Sequence, residues 1–142
     1  MKTITKKSEK FLQEYLNNPS PTGFESKGQR MWLNYIKPYI DTHFKTLVDR
    51  EHTFIAGSSM GGMISAYAIS KYPETYGGAA CLSTHWLPLE GVFVDYFEKN
   101  LPDPTTHKLY FDFGTKGLDG RYEPYQQEVD QAMYRKGCKK GV

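Results

Sequence analysis

What this 142-residue chain lacks narrows its function before any motif is read. It contains no run of eighteen apolar residues, so nothing in it reads as a membrane span. Its two cysteines, Cys81 and Cys138, stand far apart. That excludes a disulfide scaffold and any cysteine-based metal site, and it makes Cys81, within the stretch GAACLS, a small buried hydrophobe. Charge of one sign is scarce: the formal net charge is +2. No basic stripe interleaved with aromatics occurs either, so no nucleic-acid partner is expected. The opening MKTITKKSEK has lysines but no apolar stretch behind them, unlike a secretory signal, and the cytoplasm is the expected compartment.

Aromatic side chains, by contrast, are plentiful. Eleven Tyr, eight Phe and two Trp supply bulk for one real core. The basic residues concentrate early: residues 1–45 hold eight Lys/Arg against four Asp/Glu. Lys2, Lys6, Lys7 and Lys10 read as the solvated face of a first helix, with Phe11, Leu12, Tyr15 and Leu16 at helical spacing and Asn17-Asn18-Pro19 as its stop. After a turn at 20–23, a second helix carries Phe24, Met31, Trp32, Tyr35, Ile36 and Tyr39 on one broad face. Pro38 inside that pattern predicts either a kink or the start of a further helix.

Beyond Asp41 the pattern becomes β/α alternation. Thr53–Ala56 reads as a short, fully buried strand, Met63–Lys71 as a helix closed by Tyr72-Pro73, and Ala79–Ser83 as a second buried strand. Residues 91–100 predict a helix. Residues 108–113 predict a third strand, and 122–136 a last helix with Tyr125, Val129 and Met133 inward. Strands separated by helices of this length imply parallel pairing. The fold class expected is therefore α/β, with a short parallel sheet of about three strands preceded by N-terminal helices.

Between the first strand and its helix stands Gly57-Ser58-Ser59-Met60-Gly61, a G-x-S-x-G pattern. A strand that turns into a helix this sharply forces the central Ser59 into a strained backbone conformation, and small residues at Gly57 and Gly61 avoid a clash. The helix N-terminus then points at the serine, and the Met60 N–H becomes a candidate oxyanion donor. The bland reading is a glycine-rich βα turn without chemistry.

In this setting the sequence resembles esterases of the α/β-hydrolase superfamily, the group of esterase D and the enterochelin esterases. PYIDTHFKT, DREHTFIAGSSMGG, AACLSTHW and KLYFDFGTKGLD carry the resemblance, over residues 38–142. It implies a truncated three-layer hydrolase fold, Ser59 as nucleophile, and Asp119 as the acid of a triad, with Asp112 as a rival whose strand position suits a structural role. It implies a small carboxylic ester as substrate, short acyl esters and acylated carbohydrates being candidates, with no metal and no cofactor. The family's histidine would follow a further strand after the last helix, and no histidine stands there. His43, His52 and His107 fall at the wrong ends of the strands. His85 follows the second strand at the edge where ligands bind in parallel sheets, so it is either a substitute base or a packing residue beside Trp86.

Residues 1–42 resemble something else. NNPSPTGFE and the helix after it are similar to the start of zinc aminopeptidases of the tetrahedral-assembly kind, without that family's metal ligands. The expected organisation is a helical segment over 1–42, fused to a partial hydrolase core over 43–142. A three-stranded sheet has two bare edges, and bare edges favour a homo-oligomer. Two functions are consistent with these features: a serine esterase acting through Ser59, or an impaired oligomeric fragment whose elbow is a relic.

Overall fold

The computed structural model describes residues 5–17, 26–139 and 141. The chain divides into two compact units, 1–46 and 47–142. In the first, α1 (Lys6–Leu16) exposes Lys6, Lys7 and Lys10 as expected. The predicted turn at 20–23 and Phe24 lie outside the described residues, as do the side chains of Phe11 and Tyr15.

The second predicted helix is continuous but changes its winding. It runs through α2 (Ser26–Met31), a π-helical turn (Trp32–Ile36) and α3 (Lys37–His43). Pro38 has no N–H to give and its ring crowds the carbonyl four residues back. The wider turn absorbs this defect, the Lys37 N–H reaching five residues back to the Trp32 carbonyl. The extra residue rotates α3 around the helix axis relative to α2. The single apolar face predicted from Met31 to Tyr39 is accordingly broken up, and Trp32, Tyr35 and Tyr39 are exposed.

The second unit is a parallel sheet in the order β1-β2-β3, formed by β1 (Phe54–Ser58), β2 (Gly78–Leu82) and β3 (Lys108–Asp112). Ala56, Ala80 and Tyr110 share one register row, and Gly57, Cys81 and Phe111 the next. The helices α4 (Met60–Lys71) and α5 (Val92–Lys99) make the two crossovers, and α6 (Glu123–Lys136) comes after β3. Both crossovers step the same way along the sheet. Right-handed connections therefore put α4 and α5 on one face.

That arrangement corrects one expectation. β1 is not buried on both faces: Phe54 is 58% exposed, and Ala56 and Ser58 are exposed with it. The central strand fares differently, with Gly78, Ala79 and Cys81 buried. Burial pushes the Cys81 thiol up to about 12, as befits a packing residue rather than a nucleophile.

The core beneath the covered face is aromatic. Trp86 lies 5.7 Å from Phe93, 6.0 Å from Phe97 and 5.9 Å from Phe111, ring centre to ring centre. The phase of α6 also differs from the prediction. Val129 is buried as expected, but the inward stripe runs through Tyr122, Gln126 and Ala132, while Tyr125 and Met133 are half-buried. Gln126 sets that phase by accepting the Trp86 indole N–H at 3.0 Å.

Candidate active site

β1 and α4 meet at Ser59, and the junction has the predicted strain. Ser59 has φ 59° and ψ −116°, outside the regions where a residue with a side chain sits comfortably. Its N–H donates to the Leu82 carbonyl at 2.8 Å, and its own carbonyl accepts from the N–H groups of Met63 and His85, each at 3.2 Å. The bond from Met63 is the first of the helix, so the Met60 N–H lies ahead of the helical ladder at its positive end. That is where an oxyanion would be held.

Crowding at the elbow falls on a different pair of glycines from the predicted one. A Cβ on Gly57 would stand 2.4 Å from the Gly61 carbonyl carbon and oxygen. Gly61 itself, expected to be small for the same reason, has nothing within 4 Å of where its Cβ would be. The second crowded position is Gly62, whose Cβ would meet the Thr84 hydroxyl at 2.8 Å.

The other predicted residues gather at the same, C-terminal end of the strands, though not in a Ser–His–Asp line. Asp119 opens a short 3-10 turn (Asp119–Arg121), and its Oδ2 accepts from the Ser83 hydroxyl at 2.7 Å and the Gly114 N–H at 3.1 Å. The structure therefore does not give Asp119 the expected task of orienting His85. Asp112, the rival acid, is structural: it accepts the Ser83 N–H at 2.9 Å. Ser83, at φ 43°, thus ties the two carboxylates to the end of β2.

His85 is half-buried, and its Nδ1 is hydrogen-bonded to the Tyr122 hydroxyl at 2.8 Å. Tyr122 is thus the residue that sequence reasoning missed. It stands three residues after Asp119 and just before α6, and only its burial, at 1% exposed, hints at a role in the site. Burial holds its pKa above the ordinary phenol value, and the nearby Asp119 charge adds to that.

The remaining histidines are occupied elsewhere. His52 pairs with Asp49 at 2.7 Å, and His107 Nε2 bonds the Pro73 carbonyl at 2.8 Å. An open concavity of about 530 Å³, lined by Asp49, Arg50, Glu51, His52 and Glu74, lies before the first residue of β1, at the end of the strand opposite Ser59. It holds no nucleophile. Among the described residues, no cluster of three His, Cys, Asp or Glu could hold a metal, and no helix is long and apolar enough to cross a membrane.

Residues 8–134 match the family described as "Putative esterase". The chain belongs to that family. The match begins at residue 8, so it also runs through most of the segment that resembles an aminopeptidase. Solved esterase structures share the α/β fold. A ferulic acid esterase superposes with a TM-score of 0.61 at 18% identity, over 78% of this chain and 50% of its own. The enterobactin esterase FES from Shigella flexneri, determined in the presence of 2,3-di-hydroxy-N-benzoyl-glycine, superposes with 0.60 at 20% identity, over 78% and 29%. An enterochelin esterase from Shigella flexneri superposes with 0.51 at 16% identity, over 88% and 40%. The chain therefore spans half the length of these esterases or less. Compared by sequence with proteins of curated function, it finds no match.

Proposed function

We propose that this member of the esterase family hydrolyses carboxylic esters through an acyl-enzyme on Ser59. The observation that carries the reading is the Ser59 backbone, held at φ 59° directly before the first helical bond of α4. No packing need calls for such strain in a simple βα turn, whereas a nucleophile must be lifted clear of its strand. In this reading Ser59 attacks the acyl carbon, the Met60 N–H receives the developing oxyanion, and His85 takes up the serine proton. Asp119 contributes its negative charge behind Tyr122. Short acyl esters, acylated carbohydrates among them, are the substrate class we assign. We place the reaction in the cytoplasm, in keeping with two cysteines that form no disulfide.

A fluorophosphonate probe read by intact mass tests this. One adduct per wild-type chain and none on Ser59→Ala is the expected result. A folded wild-type protein that takes up no probe would sink the proposal. That outcome favours the second reading, an impaired fragment with a relic elbow, which draws on one observation: Asp119 is engaged by Ser83 and Gly114 rather than by an imidazole.

Two further points belong to the proposal. The outer edges of β1 and β3 have no strand partner among the described residues, which supports a homo-oligomer joined at an edge or through the N-terminal helices. Light scattering behind size exclusion would show more than one chain per particle, and a monomer at micromolar concentration rejects this. An origin by fusion for residues 1–42 rests on the likeness of NNPSPTGFE and the helix after it, against a family match that already runs through most of them.

A further inference from the structure

The turn that follows β2 holds the main chain of Ser59 from both sides. The Leu82 carbonyl accepts the Ser59 N–H at 2.8 Å, and the His85 N–H donates to the Ser59 carbonyl at 3.2 Å. The first of these bonds continues the pairing of β1 with β2, in which Ser58 stands opposite Leu82. A regular parallel ladder would next bring the Thr84 N–H to the Ser59 carbonyl. His85 takes that place, so the chain gains one residue between the two bonds. Ser83 makes the extra step. It stands at φ 43°, in the left-handed region that a residue with a side chain rarely adopts.

Backbone strain persists only where its surroundings hold it, and two carboxylates hold Ser83. Its N–H donates to Asp112 Oδ1 at 2.9 Å, and its hydroxyl donates to Asp119 Oδ2 at 2.7 Å. The same Asp119 oxygen takes the Gly114 N–H at 3.1 Å, which ties that carboxylate to the chain just beyond β3. We propose that Ser83 is a positioning residue for the reaction at Ser59, and that Asp119 acts on the nucleophile through Ser83, as a hydrogen-bond acceptor, and not through an imidazole. This rests on the reading of Ser59 as nucleophile. Without the bond to Asp119, the 82–85 turn is free to relax out of its strained conformation. The His85 N–H then withdraws from the Ser59 carbonyl, and Ser59 loses one of the bonds that keep it at φ 59°. Its hydroxyl moves away from the acyl carbon whose oxyanion the Met60 N–H receives.

The test compares rates of fluorophosphonate labelling by the full chain and its variants, each corrected for its folded fraction. Asp119→Ala removes the acceptor of both donors and should slow labelling by about a hundredfold, the effect of displacing a reacting atom by about 1 Å. Asp119→Asn gives up the charge but keeps one oxygen, and one oxygen is all that Ser83 and Gly114 use. It should lose only about tenfold, a neutral acceptor being weaker than an ionised one. An acid that orients an imidazole behaves otherwise, its amide variant losing about ten-thousandfold. A loss of that size in a folded Asp119→Asn would overturn the proposal. Ser83→Ala should slow labelling by about tenfold, and it should add nothing to the loss in Asp119→Ala, because both cut the same path. Losses that multiply in the double variant would overturn it as well. Should an alanine variant fail to fold, Asp119→Asn still decides.

Amide hydrogen exchange reads the same hold without the reaction. In Ser83→Ala the N–H groups of Ser59 and His85 should exchange about tenfold faster than in wild type, while those of Ile69 and Val129, buried in α4 and α6, keep their rates. Unchanged exchange at Ser59 and His85 would overturn the proposal. Equal acceleration at all four sites would mean a general loss of stability, and it overturns the proposal too. A wild-type chain that takes no probe, beside a Ser83→Ala chain that loosens at Ser59 and His85, rejects the reading of Ser59 as nucleophile while supporting the hold of Ser83 on the elbow.

Discussion

Replacing Gly57 by alanine should lower the melting temperature by about 10 °C, from a loss of roughly 3 kcal/mol. It should also slow probe labelling of the folded fraction by about a hundredfold, the effect of displacing a reacting atom by about 1 Å. The added methyl would stand 2.4 Å from main-chain atoms of Gly61, and main chain cannot swing aside as a side chain can. Relief requires β1 and the first turn of α4 to separate. Those two elements carry Ser59 between them, tied to the next strand through the Leu82 carbonyl. Gly61→Ala is the control. With nothing within 4 Å of its Cβ, it should fall within about 1 kcal/mol of wild type, with a gain as plausible as a loss because alanine favours helix. Thermal melts of the two variants, with labelling rates alongside, decide the matter. Equal melting temperatures would mean that the elbow is not held by the contact between Gly57 and Gly61.

This pair also shows where the sequence was a sufficient guide and where it was not. The G-x-S-x-G spacing identified Ser59, the strain at it and the flanking strand and helix, because each arises from local backbone constraints. The three strands and the helices between them were legible for a similar reason, as short apolar runs separated by helical spacing. Which glycine is crowded depends instead on how the helix lies on the strand, so a motif treats Gly57 and Gly61 alike. Tyr122 was invisible on the same grounds. Its partner His85 is thirty-seven residues away in sequence, and nothing in a helix-start tyrosine reveals where its hydroxyl points. The π turn before Pro38 was half legible: the defect could be read from one residue, its remedy could not. The exposed face of β1 escaped because burial of an apolar strand depends on which side its neighbours' connections take.

Trp86 is where an interaction distant in sequence costs most to break. Trp86→Ala removes a side chain that is 0% exposed and packed among Phe93, Phe97 and Phe111, a loss of about 3–5 kcal/mol. It also strips Gln126, itself buried, of the indole N–H that its carbonyl oxygen accepts, adding about 1–3 kcal/mol. Small domains hold only about 5–15 kcal/mol in all. The alanine variant should therefore be largely unfolded at 37 °C, with its near-ultraviolet dichroism lost. Trp86→Phe separates the two contributions. It keeps an aromatic ring in the cluster and loses the hydrogen bond, so urea unfolding should show a deficit of about 1–3 kcal/mol with a cooperative transition preserved. His85 precedes Trp86 in the chain, yet its own anchors are the Ser59 carbonyl and the Tyr122 hydroxyl. Labelling by the phenylalanine variant should then stay within a few-fold of wild type once corrected for the folded fraction. An alanine variant as stable as wild type would show that the aromatic cluster is not the core. A phenylalanine variant that folds but does not label would show that Trp86, through the loop it anchors, positions His85 as well.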